Sequence, residues 1–273
     1  MFTDKKIAII GAGNMGEILI RGLLNSEVVD TKGLLASEIN PERRNFIAET
    51  YQIEVHENAS VVVEKVDIVV LAVKPQNMGP VLDMIKEAVN EEHLMISIAA
   101  GVHTDWIAEH FSEKEIRIIR VMPNAPALVL AGASALYAGL FATEKDLMLA
   151  KEIFDQVGCT VVVEKEDFID IVTGLSGSGP AFLFTIIEAL SDAGVQMGLS
   201  RKVANQLSAQ TVYGAGKMFL ETNLHAHALK DLVATPGGTT FAGLRALENG
   251  NFRAVIMDAV EAATMKSREL GKM

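Results

Sequence analysis

The chain has 273 residues, of which 49% are hydrophobic and 22% are charged. So much apolar surface is enough to bury one large core or two ordinary ones, which excludes a disordered chain. The net charge of −11 argues against a general nucleic-acid binder, because such proteins neutralise phosphates with clustered lysine and arginine. The single cysteine, Cys159, cannot form an intrachain disulfide. No uninterrupted apolar run reaches the roughly 18 residues that cross a bilayer, so we expect a soluble, cytoplasmic protein without a membrane partner.

The first part of the chain alternates strand and helix patterns. Short apolar runs predict strands at 6–10, 34–37, 67–73, 94–98, 117–122, 133–138 and 160–163. Amphipathic segments predict helices at 14–26, from Pro41 onward, and at 81–89, 104–111 and 144–157. This alternation is typical of βαβ units with right-handed crossovers. We therefore predict an α/β fold whose N-terminal Rossmann-like dinucleotide-binding domain spans residues 1–163.

Strand patterns stop after residue 163, and helical patterns follow. The predicted helices are 167–175, 180–197, 200–221, 227–233, 239–249 and 252–270, with Gly250 where a C-terminal cap is needed. We predict an all-α C-terminal domain over residues 164–273. Several of these helices have broad apolar faces that one small domain cannot bury alone, so we expect a dimer interface here.

A glycine-rich loop, Gly11-Ala12-Gly13-Asn14-Met15-Gly16, follows the first predicted strand. Gly11 permits a tight turn, Gly13 lets backbone amides approach a pyrophosphate, and Gly16 allows a helix to pack closely on the strand. A plain glycine turn is the alternative. The position of the loop in the first βαβ unit favours a dinucleotide site.

The end of the second predicted strand carries two opposite signals for the cofactor. Ser37 facing the ribose, with Arg43 or Arg44 one turn into the helix, favours a 2′-phosphate and hence NADPH. Glu38 facing the ribose would repel that phosphate and favour NADH. The two arginines also fit an ordinary solvated helix face. We expect NADPH, with NADH as the alternative.

A second glycine loop, Thr235-Pro236-Gly237-Gly238-Thr239-Thr240, precedes the predicted helix 239–249. Glycines permit the backbone angles of an anion-binding nest, and the helix start presents free N–H groups. This pattern indicates a carboxylate site made without lysine or arginine. The alternative is a helix start capped by a threonine. The histidines are too scattered to supply the ligands of a metal site, so we expect no metal.

Several sequence blocks together resemble the pyrroline-5-carboxylate reductase family. They keep the family's order and cover nearly the whole chain: 9–16, 72–75, 97–102, 120–126, 173–181 and 229–240. The last block, which continues through Gly243, Leu247 and Glu248, is the most diagnostic. The resemblance implies an oxidoreductase that transfers a hydride from NAD(P)H to L-1-pyrroline-5-carboxylate and gives L-proline, the last step of proline biosynthesis. It also implies an interlocked homodimer assembled into a larger ring.

The resemblance assigns roles to individual residues. The cofactor would be lined by Gly11, Ala12, Gly13, Asn14, Met15, Gly16, Ser37, Asn58, Ala72, Val73, Lys74, Pro75, Ala99, Ala100 and Gly101. Thr235 and the backbone of Gly238 and Thr239 would hold the substrate carboxylate, and Glu166 would lie near the substrate. Thr240 would be the catalytic residue beside the ring nitrogen. Because a hydroxyl group is a poor general acid, we expect it to relay or orient rather than to donate a proton. Three roles stay open for Lys74: a contact with the cofactor, a structural role in the loop, and a part in the chemistry.

Three positions depart from the family's pattern. Ala125 stands where the family often has threonine, and His225-Ala226-His227 replaces a more usual His-Pro-Gly. Glu38 is unexpected in a strictly NADP-specific member. Two rival functions stay open. Another reductase with the same two-part plan, such as a β-hydroxyacid dehydrogenase or an imine reductase, would leave the second glycine loop unexplained. A non-catalytic nucleotide-binding regulator would have no need of that loop.

Overall fold

The structure, a computed structural model, describes residues 5–111 and 114–271. The strands are β1 (Ile7–Ile10), β2 (Leu34–Ser37), β3 (Glu54–His56), β4 (Ile68–Leu71), β5 (Leu94–Ser97), β6 (Arg117–Met122), β7 (Gly132–Ala138) and β8 (Gly158–Val162). The first six helices are α1 (Asn14–Asn25), α2 (Pro41–Tyr51), α3 (Ala59–Val63), α4 (Met78–Ile85), α5 (Thr104–Glu109) and α6 (Glu144–Asp155). The other six are α7 (Asp167–Val172), α8 (Gly179–Gln196), α9 (Arg201–Thr222), α10 (Ala226–Val233), α11 (Thr239–Asn249) and α12 (Phe252–Leu270).

The eight strands of the described residues form one sheet in the order β3-β2-β1-β4-β5-β6-β7-β8. Strands β1 to β6 are parallel, whereas β7 pairs antiparallel with β6 and β8 pairs parallel with β7. Between β6 and β7 the chain forms only a short 3₁₀ helix, Ala125–Val129, which is too short for a crossover to a parallel strand. The predicted Rossmann-like fold is confirmed, and β7 and β8 extend its sheet in the opposite direction.

Each face of the sheet buries its own hydrophobic cluster. Along β1, Ile7 and Ile9 join one cluster with α1 and α6, whereas Ala8 and Ile10 join another with α3, α4 and α5. Successive side chains of a strand point to opposite faces, so a strand covered on both sides is apolar throughout. This double coverage holds the carboxyl ends of the central strands in fixed relative positions.

The described chain divides into two compact units. Unit 1 contains Met1–Gly177 and Ala262–Met273, and unit 2 contains Ser178–Glu261. Helix α7 belongs with unit 1 because it packs on β6 and β7 and buries Ile169 and Asp170. The sequence-based boundary at 163/164, which follows the loss of strand patterns, stays a prediction. Two predicted helix ends agree with the structure: Pro41 begins α2 and Gly250 is the C-cap of α11.

Unit 2 leaves large apolar side chains exposed, among them Met197 at 86%, Leu220 at 77% and Phe184 at 64%. A surface of this kind in an otherwise folded helical unit needs a covering partner. One helical run, 167–196, is long and apolar enough to cross a membrane by length and composition. That is weak evidence for a span, because the run begins with the charged turn that contains Asp170, which is buried in unit 1.

Two glycines start β7 and β8 side by side, and we expect Gly158 to tolerate no larger residue. A Cβ atom at Gly158 would overlap the backbone of Gly132, and the φ angle of Gly158 is +155°. We expect Gly158→Ala to destabilise the protein by about 2–3 kcal/mol through overpacking. Gly79→Ala is the control, because its Cβ would meet only Trp106, at 3.9 Å. Thermal unfolding at equal protein concentration tests this, and equal midpoints for the two variants would contradict it.

Candidate active site

The glycine loop lies at the point of the sheet where β1 has β2 on one side and β4 on the other. Gly11 has a φ of +95°, and a Cβ there would lie 2.8 Å from Val73 Cγ1 and 2.9 Å from the carbonyl oxygen of Ala72. A Cβ at Gly16 would overlap the carbonyl oxygen of Gly11. The loops after β1 and β4 and the start of α1 therefore approach one another so closely that only glycine fits at both positions.

Gly13 differs from its neighbours in that nothing in the fold requires it. Its φ is −67°, it is exposed, and a Cβ would meet no atom within 4 Å. The N-terminus of α1, which begins at the next residue, has no side-chain cap. Open space beside an uncapped helix start fits the pyrophosphate of a dinucleotide, because free N–H groups and the helix dipole favour anions.

The structure brings the predicted cofactor residues together along one edge of the sheet. Gly11–Gly16 follows β1, Ser37 ends β2, Ala72–Pro75 follows β4 and Ala99–Gly101 follows β5. Asn58 follows β3, where its Oδ1 accepts a hydrogen bond from the backbone N–H of Ser60 at 2.9 Å and caps α3. The contacts of these residues with a cofactor stay predictions.

A cavity of about 440 Å³ lies beside the start of α1. It is lined by Asn14, Met15, Ala125 and Leu128, together with three further residues of α1. Ala125 is the position where the family often has threonine, so this chain offers a methyl group to the cavity where a hydroxyl group would otherwise stand.

At the end of β2 the two competing cofactor signals occupy different environments. Ser37 is buried, with 4% of its surface exposed. The carboxylate of Glu38 accepts a hydrogen bond from the backbone N–H of Asn40 at 2.9 Å, and Arg44 Nη1 donates to the carbonyl oxygen of Glu38 at 2.8 Å. Glu38 thus bonds within its own loop, and the choice between the two signals stays a prediction.

Sequence reasoning missed a polar network behind the glycine loop. Arg43 donates from Nε to the carbonyl oxygen of Ala12 at 2.8 Å and from Nη2 to the carboxylate of Glu17. The hydroxyl of Tyr51 donates to the same carboxylate at 2.7 Å. Arg43 and Tyr51 lie about two helical turns apart on α2, so they share one face of the helix. This spacing is the one local sign of the network in the sequence. The network ties α2 to α1 and to the loop between β1 and α1.

This network also shifts two pKa values. Burial would raise the pKa of Glu17, but hydrogen bonds from Tyr51 and Arg43 and the charge of Arg43 outweigh it and lower the pKa. Burial and the hydrogen bond to Glu17 raise the pKa of Tyr51 to about 12. The stable arrangement at neutral pH is therefore a neutral phenol that donates to an ionised carboxylate.

In unit 2 the second glycine loop forms a tight turn. The backbone N–H of Gly238 donates to the carbonyl oxygen of Thr235 at 2.9 Å, and Gly237 has a φ of +69°. Proline followed by a left-handed glycine is the signature of a type II turn. A Cβ at Gly238 would overlap the hydroxyl oxygen of Thr235, so this position requires glycine.

The turn leads directly into α11, whose N-cap residue is Gly238 without a side-chain cap. The alternative of a helix start capped by threonine is therefore wrong. The first backbone N–H groups of α11 point out of the helix end without an internal partner, which suits a carboxylate. Thr240 sits in the first turn of α11, is half-buried, and donates its hydroxyl proton to the carbonyl oxygen of Val233 at 3.2 Å.

The remaining predicted substrate residue, Glu166, lies in unit 1 and is engaged by its neighbours there. Its Oε1 accepts from the backbone N–H of Thr104 at 2.8 Å and from Arg120 Nη1 at 3.1 Å. Its Oε2 accepts from the hydroxyl of Thr104 at 2.8 Å. Thr104 and Arg120 were not singled out from the sequence. A contact of Glu166 with substrate stays a prediction.

Comparisons with known proteins agree with this architecture. Residues 166–270 match a family model described as pyrroline-5-carboxylate reductase dimerisation, and residues 6–101 match one described as NADP oxidoreductase coenzyme F420-dependent. A pyrroline-5-carboxylate reductase of Methanosarcina acetivorans is 44% identical over 269 residues, covering 98% of this chain and 99% of that protein. The chain belongs to the pyrroline-5-carboxylate reductase family.

Solved structures of pyrroline-5-carboxylate reductases support the same assignment. The one from Coxiella burnetii is 36% identical with a TM-score of 0.94, covering 98% of this chain and 99% of that chain. The one from Plasmodium falciparum, solved with NADP bound, is 33% identical with a TM-score of 0.87, covering 99% of this chain and 100% of that chain. The predicted family and the predicted all-α dimerisation domain are confirmed. A domain of the dimerisation family is expected to expose apolar side chains of the kind seen in unit 2.

The network behind the glycine loop predicts a pH-dependent contribution of Tyr51 to stability. Because folding raises the pKa of Tyr51 from 10.0 to about 12, its contribution is complete below pH 10 and is lost as the pH rises through 12. We expect Tyr51→Phe to destabilise the protein at neutral pH by about 1 kcal/mol, the value of one hydrogen bond.

Thermal unfolding of wild type and Tyr51→Phe at pH about 8 and about 11 measures this contribution. The difference between their midpoints should shrink at the higher pH. Gly79→Ala, whose Cβ would meet only Trp106 at 3.9 Å, is the control, and its midpoint should differ from that of wild type by the same amount at both pH values. A difference that grows toward alkaline pH would contradict the expectation.

Proposed function

We propose that the protein is a pyrroline-5-carboxylate reductase, which transfers a hydride from NADPH to L-1-pyrroline-5-carboxylate and forms L-proline, the last step of proline biosynthesis. One observation carries the proposal: a chain of this family combines a dinucleotide loop at β1 and β4 with a second, uncapped helix start at Gly238. The first suits a phosphate and the second a carboxylate. A non-catalytic nucleotide-binding protein would need only the first.

NADPH is the proposed cofactor, and NADH is the alternative. The open space at Gly13 and the uncapped start of α1 suit its pyrophosphate, and the loops Ala72–Pro75 and Ala99–Gly101 complete the edge of the sheet. Ser37 supports NADPH by its hydroxyl group at the end of β2, as does the NADP bound to the relative from Plasmodium falciparum. Asn58 and Lys74 lie at the same edge. Lys74 is exposed, and we propose that it contacts the cofactor.

The substrate carboxylate is proposed to bind at the start of α11, to Thr235 and the backbone N–H groups of Gly238 and Thr239. A bound nicotinamide cofactor would supply the hydride that the imine carbon accepts. The ring nitrogen carries a proton as an iminium ion, so hydride addition gives the secondary amine of proline without a further proton. Thr240 donates its own proton to Val233, so its hydroxyl oxygen is placed to accept a hydrogen bond from the iminium N–H.

The assembly proposed for the protein is a homodimer that associates into a larger ring, in the cytoplasm. The exposed apolar side chains of unit 2 support extensive subunit contacts. The net charge of −11 supports the absence of nucleic-acid partners, and no metal takes part in the proposed reaction. Among residues 5–111 and 114–271, no group of three or more metal-ligating side chains converges.

The direct test of the reaction is turnover with L-1-pyrroline-5-carboxylate, followed as loss of NADPH or NADH absorbance and as formation of proline. We expect proline with both cofactors and a higher kcat/KM with NADPH. Folded protein that binds NADPH without turning over this substrate would contradict the proposal. It would favour a nucleotide-binding regulator or a reductase for another substrate.

Gly13 separates cofactor binding from folding. We expect Gly13→Ala to keep the wild-type unfolding midpoint, because a Cβ there meets no atom within 4 Å. The same methyl group would obstruct the pyrophosphate and raise the Kd for NADPH about tenfold, or about 1.4 kcal/mol of binding free energy. Calorimetric titration measures the Kd, with Gly79→Ala as the control. An unchanged Kd would show that the pyrophosphate does not bind beside Gly13.

Thr240 is expected to act on the chemical step. Thr240→Ala should lower kcat by about tenfold to a hundredfold, the range of a lost polar contact to the reacting group, and leave the Kd for NADPH unchanged. Thr240→Ser, which keeps a hydroxyl group, should recover most of the activity. Steady-state kinetics and NADPH titration test this. If Thr240→Ala lowered only the affinity for NADPH, Thr240 would have no role in the chemical step.

A further inference from the structure

A buried cation lies in unit 1, outside the residues assigned to substrate or cofactor. Arg120 in β6 has a side chain only 1% exposed, and its register partners are Ser97 in β5 and Tyr137 in β7. Within residues 5–111 and 114–271, its Nε and Nη2 atoms have no hydrogen-bond partner. A buried guanidinium group needs nearby anions to offset its lost hydration.

Two carboxylates supply that charge. Arg120 Nη1 lies 3.1 Å from Glu166 Oε1, and Nη2 lies 3.8 Å from Asp170 Oδ1. Both carboxylates are nearly buried as well, with side chains 12% and 4% exposed. Replacing such a cluster by apolar groups often costs little stability, because desolvation offsets the attraction of the charges. The function of this cluster therefore depends on which groups its two carboxylates hold in place.

Glu166 holds one end of the loop that joins β5 to α5. It accepts from both the backbone N–H and the hydroxyl of Thr104, the first residue of α5. The N-cap residue His103 makes no side-chain cap of its own, and its Nδ1 lies 3.7 Å from Glu166 Oε1. Glu166 therefore caps α5 from a distant part of the chain.

Asp170 holds the segment that packs on the same loop from another side. Its Oδ1 accepts from the hydroxyl of Ser267 at 2.6 Å, near the end of α12. The residues that follow meet Gly101, whose φ is +73° and whose Cβ would lie 3.2 Å from Gly271 N and 3.3 Å from Leu270 C. The loop 99–103 is thus fixed at its α5 end by Glu166 and supported by a helix end that Asp170 anchors.

We propose that Arg120 is a positioning residue for cofactor binding, which acts through Glu166 and Asp170 to hold the loop 99–103 in the conformation that receives the dinucleotide. The inference rests on the proposed function, which places Ala99–Gly101 at the cofactor. It gives Glu166 a role in holding this loop, through the three hydrogen bonds that its oxygens accept from Thr104 and Arg120 in unit 1. Directional hydrogen bonds to a backbone N–H suit such a role, because they fix orientation as well as distance.

The test compares Arg120→Met and Glu166→Gln with Arg117→Met in the purified full-length protein. Arg117 is the matched control, because it lies on the same strand and pairs with buried Asp146 at 2.8 Å through another part of unit 1. We expect Arg120→Met and Glu166→Gln to raise the Kd for NADPH about tenfold, as loss of positioning does. Arg117→Met should lower the unfolding midpoint and leave the Kd unchanged.

The double variant Arg120→Met/Glu166→Gln covers the case in which a single change leaves a buried charge unpaired and prevents folding. It removes one charge of each sign and so leaves the net charge of the cluster unchanged, with Asp170 still accepting the hydrogen bond from Ser267. It should therefore fold while keeping the raised Kd for NADPH. Ser267→Ala, which removes only the hydrogen bond to Asp170, should raise the Kd by a smaller factor.

The outcomes separate the inference from the proposed function. Wild-type protein that binds no NADPH overturns both. A wild-type Kd for NADPH in the folded Arg120 and double variants overturns the inference alone. A raised KM for pyrroline-5-carboxylate with an unchanged Kd for NADPH would place Glu166 at the substrate and overturn the positioning role. If the Kd for NADPH rose equally in Arg117→Met, general destabilisation would explain the effect of the Arg120 variants. That result would also overturn the inference.

Discussion

The close approach of backbone to backbone at the glycine loop is the constraint on which the site depends. Gly11 lies against Ala72 and Val73, and Gly16 lies against Gly11, with no room for a Cβ at either glycine. These contacts set the start of α1 directly over the ends of β1 and β4. Arg43, held by Glu17, bonds to the same loop from α2. The free N–H groups of α1 are thereby aimed before any ligand arrives, which lowers the cost of binding.

The two proposed anion sites are built from backbone rather than from cationic side chains. Both units contain a helix, α1 in one and α11 in the other, that starts at glycine without a side-chain cap. An acidic protein of net charge −11 would otherwise repel a phosphate and a carboxylate. Local N–H groups act within the first helical turn, where the macrodipole is strongest, and so outweigh the more distant negative charges.

The sequence predicts those features that depend on local pattern. Strands that are covered on both faces, such as β1 and β4, are recognised as apolar runs. The glycine loop is recognised by the spacing of its three glycines. Strand β3, with one exposed and two half-buried residues, has no such pattern, and the direction of β7 depends on the short link after β6. The bonds from Arg43 to Glu17 and from Arg120 to Glu166 join residues 26 and 46 positions apart, so no local spacing reveals them. The uncapped start of α11 depends on the backbone angles of Gly237 and Gly238. Because glycine permits many backbone angles, the sequence does not determine them.

The end of α12 has a practical consequence for anyone who handles this protein. Gly271 packs against Gly101 and lies near His103, in the loop assigned to the cofactor. A bulky group attached close to Gly271 would crowd this loop and weaken nucleotide binding in otherwise well-folded protein. An affinity tag is therefore better placed away from the end of α12.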